Sequence, residues 1–275
     1  MNTKNSLLLL DPEFDPHTAP QCNLLLKITN DSLSYAIINQ EHKELKAVFD
    51  EQECKNTLHT LKRLLKNDPY LSHPFREVKI AVTTSNSVTI PNKLFSMEDI
   101  NSYTNFFSKS HSQTLHIKPN YHFDFTAVFN LQENIEAALD AHFETAKKVD
   151  HQAPLLSLAA KVENGLLFDF TALSFAILQV TEGKLCFKNT FEILNADEFN
   201  YYLLLLLQQL EPAVKEMPVY LMGIVNIDDE KHLILQKYFK NIQFTAPQND
   251  KLEYTILEDM PAYYYSNLLA IDLCV

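Results

Sequence analysis

The sequence predicts a two-domain α/β fold built by internal duplication, one unit over residues 1–163 and the other over residues 164–275. Three observations carry this expectation. Residues 33–45, "LSYAIINQEHKEL", align without a gap with residues 173–185, "LSFAILQVTEGKL", in five identities and three near matches. Around each stretch the elements follow one order, strand-strand-strand-helix-strand, which a chance likeness between two apolar strands would not bring with it. Hydrophobic residues make up 46% of the 275 and charged residues 21%, enough to bury a core in each unit.

Each copy opens on an apolar strand, "LLLKIT" at 24–29 and "GLLFDF" at 165–170, and the aligned stretches supply the second strands. Third strands fall around 45–49 and 185–191. In the first copy Cys54, Leu58, Leu61 and Leu65 recur at helical spacing until Asn67-Asp68-Pro69 stops the run. In the second, Asn195 and Glu198 form a capping box before "FNYYLLLLLQQLEP". That helix is apolar nearly all round, which predicts burial between layers. Each copy then gives one more apolar strand, "VKIAVTT" from Val78 and "VYLMGIV" from Val219.

Between the copies, residues 95–107 read as a helix capped by Ser96 and "FDFTAVFN" (123–130) as a strand. The helix "LQENIEAALDAHF" follows, then a short strand near 146–149 and the helix "APLLSLAAKV" with Pro154 in its first turn. After the second copy, Asp228-Asp229-Glu230 opens a helix through Phe239, residues 242–244 read as a strand, and "PAYYYSNLLAIDLCV" as a closing helix and a last apolar segment. "MNTKNSLLLLDPEF" is expected to be an edge strand or an ordered arm, because its four apolar residues end at Asp11-Pro12 with no cleavage site after them.

Composition excludes several classes. A net charge of −12, with no Lys/Arg-rich run, disfavours nucleic acid and anionic membrane surfaces. The longest apolar stretch, residues 201–207, is far too short to insert in a membrane. Cys22, Cys54, Cys186 and Cys274 are widely spaced, so free thiols in a reducing compartment, the cytoplasm, are expected. The only glycines are Gly165, Gly183 and Gly223, against an average of about seven per hundred residues. Gly-rich phosphate loops and the nucleophile elbow are thereby ruled out.

A three-stranded meander, helix, strand, helix, strand, given twice, resembles the actin-like ATPase superfamily. That is a duplicated ribonuclease-H-like fold including actin, heat-shock chaperones, sugar kinases and actin-like pilus-assembly proteins. Residues 125–161, "FTAVFNLQENIEAALDAHFETAKKVDHQAPLLSLAAK", are similar to the pilus-assembly branch. Residues 183–210, "GKLCFKNTFEILNADEFNYYLLLLLQQL", and 218–239, "PVYLMGIVNIDDEKHLILQKYF", more closely resemble an uncharacterised bacterial family, a domain of unknown function with this fold. The resemblance implies two ribonuclease-H-like domains with mixed, five-stranded sheets and a cleft between them.

In active members of the superfamily, the first hairpin of each domain carries an Asp followed by Gly, and backbone N–H groups of the turn cradle phosphates. A late strand ends in paired glycines beneath the adenine. Here the first hairpin reads "ITNDSLSY": no acidic residue ends its first strand, although Asp31 sits in the turn. The second keeps Asp169 but has Thr171 and Ala172 where the glycines would be, and "YLMGIVN" keeps only Gly223. A Cβ at these positions blocks close approach to phosphate, whereas Asn30 and Asp31 can turn without glycine.

Asp169, Thr171 and Gly223 are therefore the candidate cofactor-binding residues of a vestigial nucleotide cleft. The alternative for Asp169 is a hairpin-end residue facing solvent or capping a turn, for Gly223 close backbone packing, and for Thr171 and Ser174 filler on a polar face. His111, His116 and His122 lack a ligand-pair spacing, so no metal site is expected. Asp228, Asp229 and Glu230 suit a helix N-terminus. Tyr263-Tyr264-Tyr265 offers partial core or an interaction face, and no catalytic set stands out. The functional expectation is a cytoplasmic pseudo-ATPase, a non-enzymatic scaffold that binds a protein partner and no cofactor. The alternative is weak ATP/Mg binding or hydrolysis in the interdomain cleft through Asp169 and Gly223.

Overall fold

The computed structural model describes residues 5–210, 212–245, 252–261 and 263–274; residues 1–4 of the N-terminal arm, Glu211 beyond the long helix, and Ala262 and Val275 of the tail lie outside them. The chain runs β1 (Ser6–Leu10), β2 (Cys22–Ile28), β3 (Leu33–Asn39), β4 (Glu44–Glu51), α1 (Thr57–Asn67), β5 (Glu77–Val82) and β6 (Ser87–Pro91). Next come α2 (Ile100–Thr104), β7 (His116–Asn120), β8 (Phe125–Phe129), α3 (Glu133–His142), β9 (Lys147–Asp150) and α4 (Ala153–Ala159). The remainder is β10 (Gly165–Phe170), β11 (Ser174–Thr181), β12 (Lys184–Glu192), α5 (Ala196–Gln209), β13 (Val219–Gly223), α6 (Glu230–Gln236), β14 (Ile242–Phe244) and α7 (Ser266–Ala270).

The strands form two large mixed sheets, β1-β4-β3-β2-β5-β9 and β12-β11-β10-β13-β14, and a small antiparallel sheet β6-β8-β7. In each large sheet an antiparallel meander meets strands running parallel to its first member. The first sheet exceeds the expected five strands because the N-terminal arm adds β1 along β4. Sequence reading missed β6 and β7: each carries a proline, which suits an edge strand and weakens the strand signal.

β2 is buried at all seven positions. A strand covered on both faces needs a continuous apolar run and not an alternating one. Leu24, Leu26 and Ile28 pack with Leu61 of α1 and Leu139 of α3. On the other face Leu25, Ala36 and Val48 pack with Leu257, Leu268 and Ile271 from the C-terminal region. The second sheet repeats the plan: Phe168 and Phe170 meet Phe199 of α5 and Leu235 of α6, while Leu167 and Leu178 meet Leu155 and Leu158 of α4. The strands of the first large sheet end at Asp150 and those of the second begin at Gly165, but two helices cross over. α4 lies on the second sheet and α7 on the first, and the two pack against each other.

Pairing registers place the two hairpins at an offset of 142: Ile28 opposes Leu33, and Phe170 opposes Phe175. The gapless alignment at 140 is therefore slipped by two residues along the second strands. An even slip keeps every side chain on its own face, so the apolar pattern tolerates it.

Local signals act largely as read. Pro69 follows the end of α1 as expected, and Asn56, not read from the sequence, caps its start by accepting from the His59 N–H at 2.9 Å. Asn195 accepts from the Glu198 N–H, and Glu198 returns to the Leu194 N–H, one residue earlier than the usual box. The 95–107 segment resolves into a 3-10 turn capped by Ser96 and the short α2. The expected burial of α5 between layers does not hold. Phe199, Leu203 and Leu206 are buried, but Tyr201 is 58% exposed, and Leu204 and Leu205 also face solvent. One sheet lies beneath this helix, and among the described residues nothing covers its other face.

Phe199→Ala should therefore cost about 3–5 kcal/mol, since it empties a site among Phe170, Phe175 and Leu203. Leu204→Ala, one turn away on the open face, should change stability by no more than about 0.5 kcal/mol. Urea midpoints at unchanged slope measure both.

Candidate functional site

The β2–β3 and β10–β11 hairpins close with matching turns. Thr29 N–H donates to the Ser32 carbonyl at 2.9 Å, and Thr171 N–H to the Ser174 carbonyl at 3.0 Å. Both turns lack glycine, and each is tied by hydroxyls: Thr29 with Ser32, Thr171 with Ser174, at 2.7 Å in both cases. They meet face to face across the junction of the two sheets. Asp31 Oδ2 accepts from the Leu173 N–H at 2.8 Å and from the Thr171 hydroxyl at 2.6 Å. Ala172 N–H donates to Gln52 Oε1 at 3.2 Å. The donors that such a turn would aim at a phosphate are thus engaged by a carboxylate and an amide of the same chain.

Two residues before each turn threonine stand Lys27 and Asp169, equivalent positions in the two hairpins. Lys27 Nζ lies 2.7 Å from Asp169 Oδ2, and both side chains are buried. Asn267 of α7 donates to the same oxygen at 2.7 Å. Asp169 is therefore neither exposed nor a turn cap, which corrects the structural alternative read from sequence. Its Oδ2 is taken by an ammonium and an amide, and its buried Oδ1 has no hydrogen-bond partner among the described residues. Lys27 occupies the position where the resemblance implies a carboxylate, so two carboxylates do not converge on a cation here.

Gly223 ends β13 at φ +80°, and a Cβ built there would stand 2.1 Å from the Phe170 carbonyl oxygen. Its N–H donates to the Tyr263 carbonyl at 3.0 Å, and the Ile224 N–H to the Phe170 carbonyl at 2.8 Å. The glycine thus lets β13 turn away beside β10. The space between Gly223, Ser34, Gln52 and Tyr265 is only about 20 Å³, room for about one water molecule. Lys231, close by, lies over the Phe170 ring at 5.3 Å and donates to the Thr171 carbonyl at 3.4 Å.

On the other side of the hairpins a cleft of about 710 Å³ opens between the end of β5 and the β11–β12 region, reached by Thr84, His151, Lys188 and Thr190. Five carboxylates line it (Asp31, Asp150, Asp169, Glu192 and Glu198) against Lys27 and Lys188, a net charge of −3. His151 contacts the Thr190 hydroxyl at 2.9 Å, and burial holds its pKa down, which favours the neutral ring. Behind the hairpins, burial pushes the Asp50 carboxyl up to about 6, with Lys27 opposing and Asp31 and Glu51 adding to the rise. Asp50 in turn accepts from Gln52 Nε2 at 2.8 Å, orienting the amide that holds Ala172.

The remaining candidates are dispersed. His116 pairs with Glu136, His122 lies edge-on to Phe123, and His111 is buried elsewhere. Among the described residues no group of three His, Cys, Asp or Glu side chains could hold a metal. Asp229 caps α6 through the His232 N–H at 2.8 Å. Tyr265 is core, Tyr263 packs on Phe244, and Tyr264 bonds Asn226. Sequence reading missed Lys27, Gln52 and Asn267 and left Asp31 as a turn residue. The available signal was a lone lysine in "LLLKIT" and a lone aspartate in "LLFDF", opposite charges in strands otherwise too apolar to face water.

The family described as "Protein of unknown function (DUF3822)" matches residues 11–242. No curated protein matches the chain. Among solved structures, a protein of unknown function with an actin-like ATPase fold from Bacteroides thetaiotaomicron is similar at TM-score 0.73 and 16% identity, over 95% of this chain and 99% of that one. The PilM–PilN type IV pilus biogenesis complex gives 0.60 and 12%, over 91% and 97%. Ethanolamine utilization protein EutJ from Carboxydothermus hydrogenoformans gives 0.51 and 9%, over 97% and 93%. At these identities the likeness shows the fold, which is that of actin-like ATPases.

Lys27→Met should cost about 3–5 kcal/mol, because Asp169 is left buried without its counter-charge. Pairing it with Asp169→Leu should recover most of the loss in urea unfolding. For Asp50, the folded pKa lies above the unfolded value of 3.8, so its contribution is full below about pH 4 and is lost as pH rises through about 6. Asp50→Asn should thus gain on the order of 2 kcal/mol at pH 7 and flatten the stability profile between pH 4 and 6.

Proposed function

We propose that this chain, which belongs to the DUF3822 family of proteins of unknown function, is a non-enzymatic partner-binding protein: a duplicated actin-like unit whose nucleotide cleft is held shut by its own side chains. The observation that carries this reading is Asp31, whose carboxylate sits on the Thr171 hydroxyl and Leu173 N–H like a built-in anion. A phosphate would have to displace a carboxylate tethered to the same chain.

Three further facts support it. Admitting a nucleotide on the Gly223 side means widening a space of about 20 Å³. Separating the hairpins to do so pulls Lys27 from Asp169 and strands two buried charges, a cost of several kcal/mol that the ligand would have to offset. The open cleft on the other side, at net −3, repels the anionic magnesium–triphosphate complex. We assign no catalytic step to these residues.

A fold kept without its nucleotide machinery has its surfaces left to act with, and PilM, similar in fold, occurs in a complex with PilN. A protein partner is the role we assign by analogy. The four cysteines are free, which fits a reducing compartment and a cytoplasmic location.

Thermal unfolding with millimolar MgATP tests the reading. A ligand bound only by the native state adds about 2.7 kcal/mol at a hundred times its Kd, a shift of several degrees for most domains. The expected result is no shift. A rise of several degrees that Gly223→Ala abolishes would restore the nucleotide-binding alternative.

A further inference from the structure

A second cavity, of about 770 Å³, lies between the β7–β8 face of the small sheet, α4, and the 3-10 turn Ile271–Leu273 that follows α7. Its floor is apolar, with Phe125, Ala127 and Phe129 from β8, Leu156 from α4 and Ala160 just beyond it, while Ser87, Asn120, His122 and Ser157 add polar groups around it. Three lysines, Lys118, Lys161 and Lys188, open onto it against a single carboxylate, Asp150. In a chain of net charge −12 this reverses the local sign. Lys188 donates to Gln152 Oε1 at 2.9 Å, whereas Lys118 has no hydrogen bond or ion pair among the described residues. Lys118 shares its face of β7–β8 with Ala127, its direct cross-strand partner, so an ammonium borders the apolar floor.

The volume falls in the range of small-molecule sites, about 300–1,000 Å³, and apolar walls with a few convergent polar groups are the usual makeup of such sites. The chemistry of the walls narrows the ligand. A peptide segment would bring backbone N–H and C=O groups, each needing a partner, to a floor of phenylalanine, alanine and leucine side chains. An alkyl chain carries no such groups, and each buried methylene adds to its affinity. Lysines at the border then call for an anionic head. Cys274 lines the same cavity with its thiol pushed up to about 11 by burial, so it acts there as a small neutral wall.

We propose that this cavity binds a long-chain carboxylate, its alkyl tail against Phe125, Phe129 and Leu156 and its head at Lys118. The site shares only Lys188, Asp150 and Ser87 with the cleft beside the hairpins, and does not depend on how that cleft is read.

The test uses the full chain, with cis-parinaric acid as fluorescent probe and dodecanoate as competitor. Dodecanoate should displace the probe, and each methylene removed down to octanoate should weaken displacement about fourfold. Dodecyltrimethylammonium, equal in tail and opposite in charge, should be at least about tenfold weaker. Lys118→Glu should weaken dodecanoate by at least about tenfold, and Ala160→Trp, which fills the cavity, should abolish displacement. If Ala160→Trp proves unfolded by circular dichroism, Lys118→Glu on a half-buried edge strand still decides the matter. No displacement by millimolar dodecanoate, equal displacement by the cation, or indifference to Lys118→Glu would each overturn the proposal. So would a displayed-peptide selection giving binders sensitive to Ala160→Trp where fatty acids fail, since that assigns the cavity to a protein segment.

Discussion

Two hairpins of one design place opposite charges at one position, and the attraction between them organises the junction of the two sheets. Lys27 and Asp169 each sit buried on a mostly apolar strand, where a lone charge would be costly. A buried ion pair adds little net stability beyond what a hydrophobic pair would give, yet separating its members is expensive. Its effect is therefore on geometry. With the two strands held at this spacing, the turns beyond them touch, Asp31 reaches the Leu173 amide, and the backbone beside Gly223 closes to little more than a water's width.

The asymmetry of this junction follows from the same pair. The paired hairpins leave a space on each of their two sides. On the Gly223 side the aromatic and aliphatic residues Tyr265 and Leu268 fill the space. On the other side the walls carry threonine, histidine and carboxylates and stay apart. The open volume of about 710 Å³ thus lies on the side of the hairpins away from Gly223.

Much of the fold was legible because its strands are covered on both faces and read as unbroken apolar runs. The cap at Asn195 and the stop before Pro69 were legible because they are local chemistry. What depends on neighbours distant in sequence was not. Nothing in "FNYYLLLLLQQL" says that only one of its faces meets a sheet, and Tyr201 is exposed because no second layer arrives there. The two-residue slip in the repeat is invisible to an apolar pattern with a period of two. At the site, Asp169 was found as a residue but misplaced in environment, since its partner lies 142 positions away. Asp31 reads as an ordinary turn residue until the second hairpin stands against it.

The crossing of α4 and α7 carries a consequence for how the chain is born. The face of the first sheet made by Leu25, Ala36 and Val48 is covered largely by residues from 252–274, which are made after every strand of both large sheets. During synthesis that face remains wet and adhesive while more than a hundred further residues are made, and no local contact can shield it. Folding here must wait for a long-range closure that is slow by nature and exposes the nascent chain to aggregation. Assembly in this order leaves time for a chaperone to engage the open face.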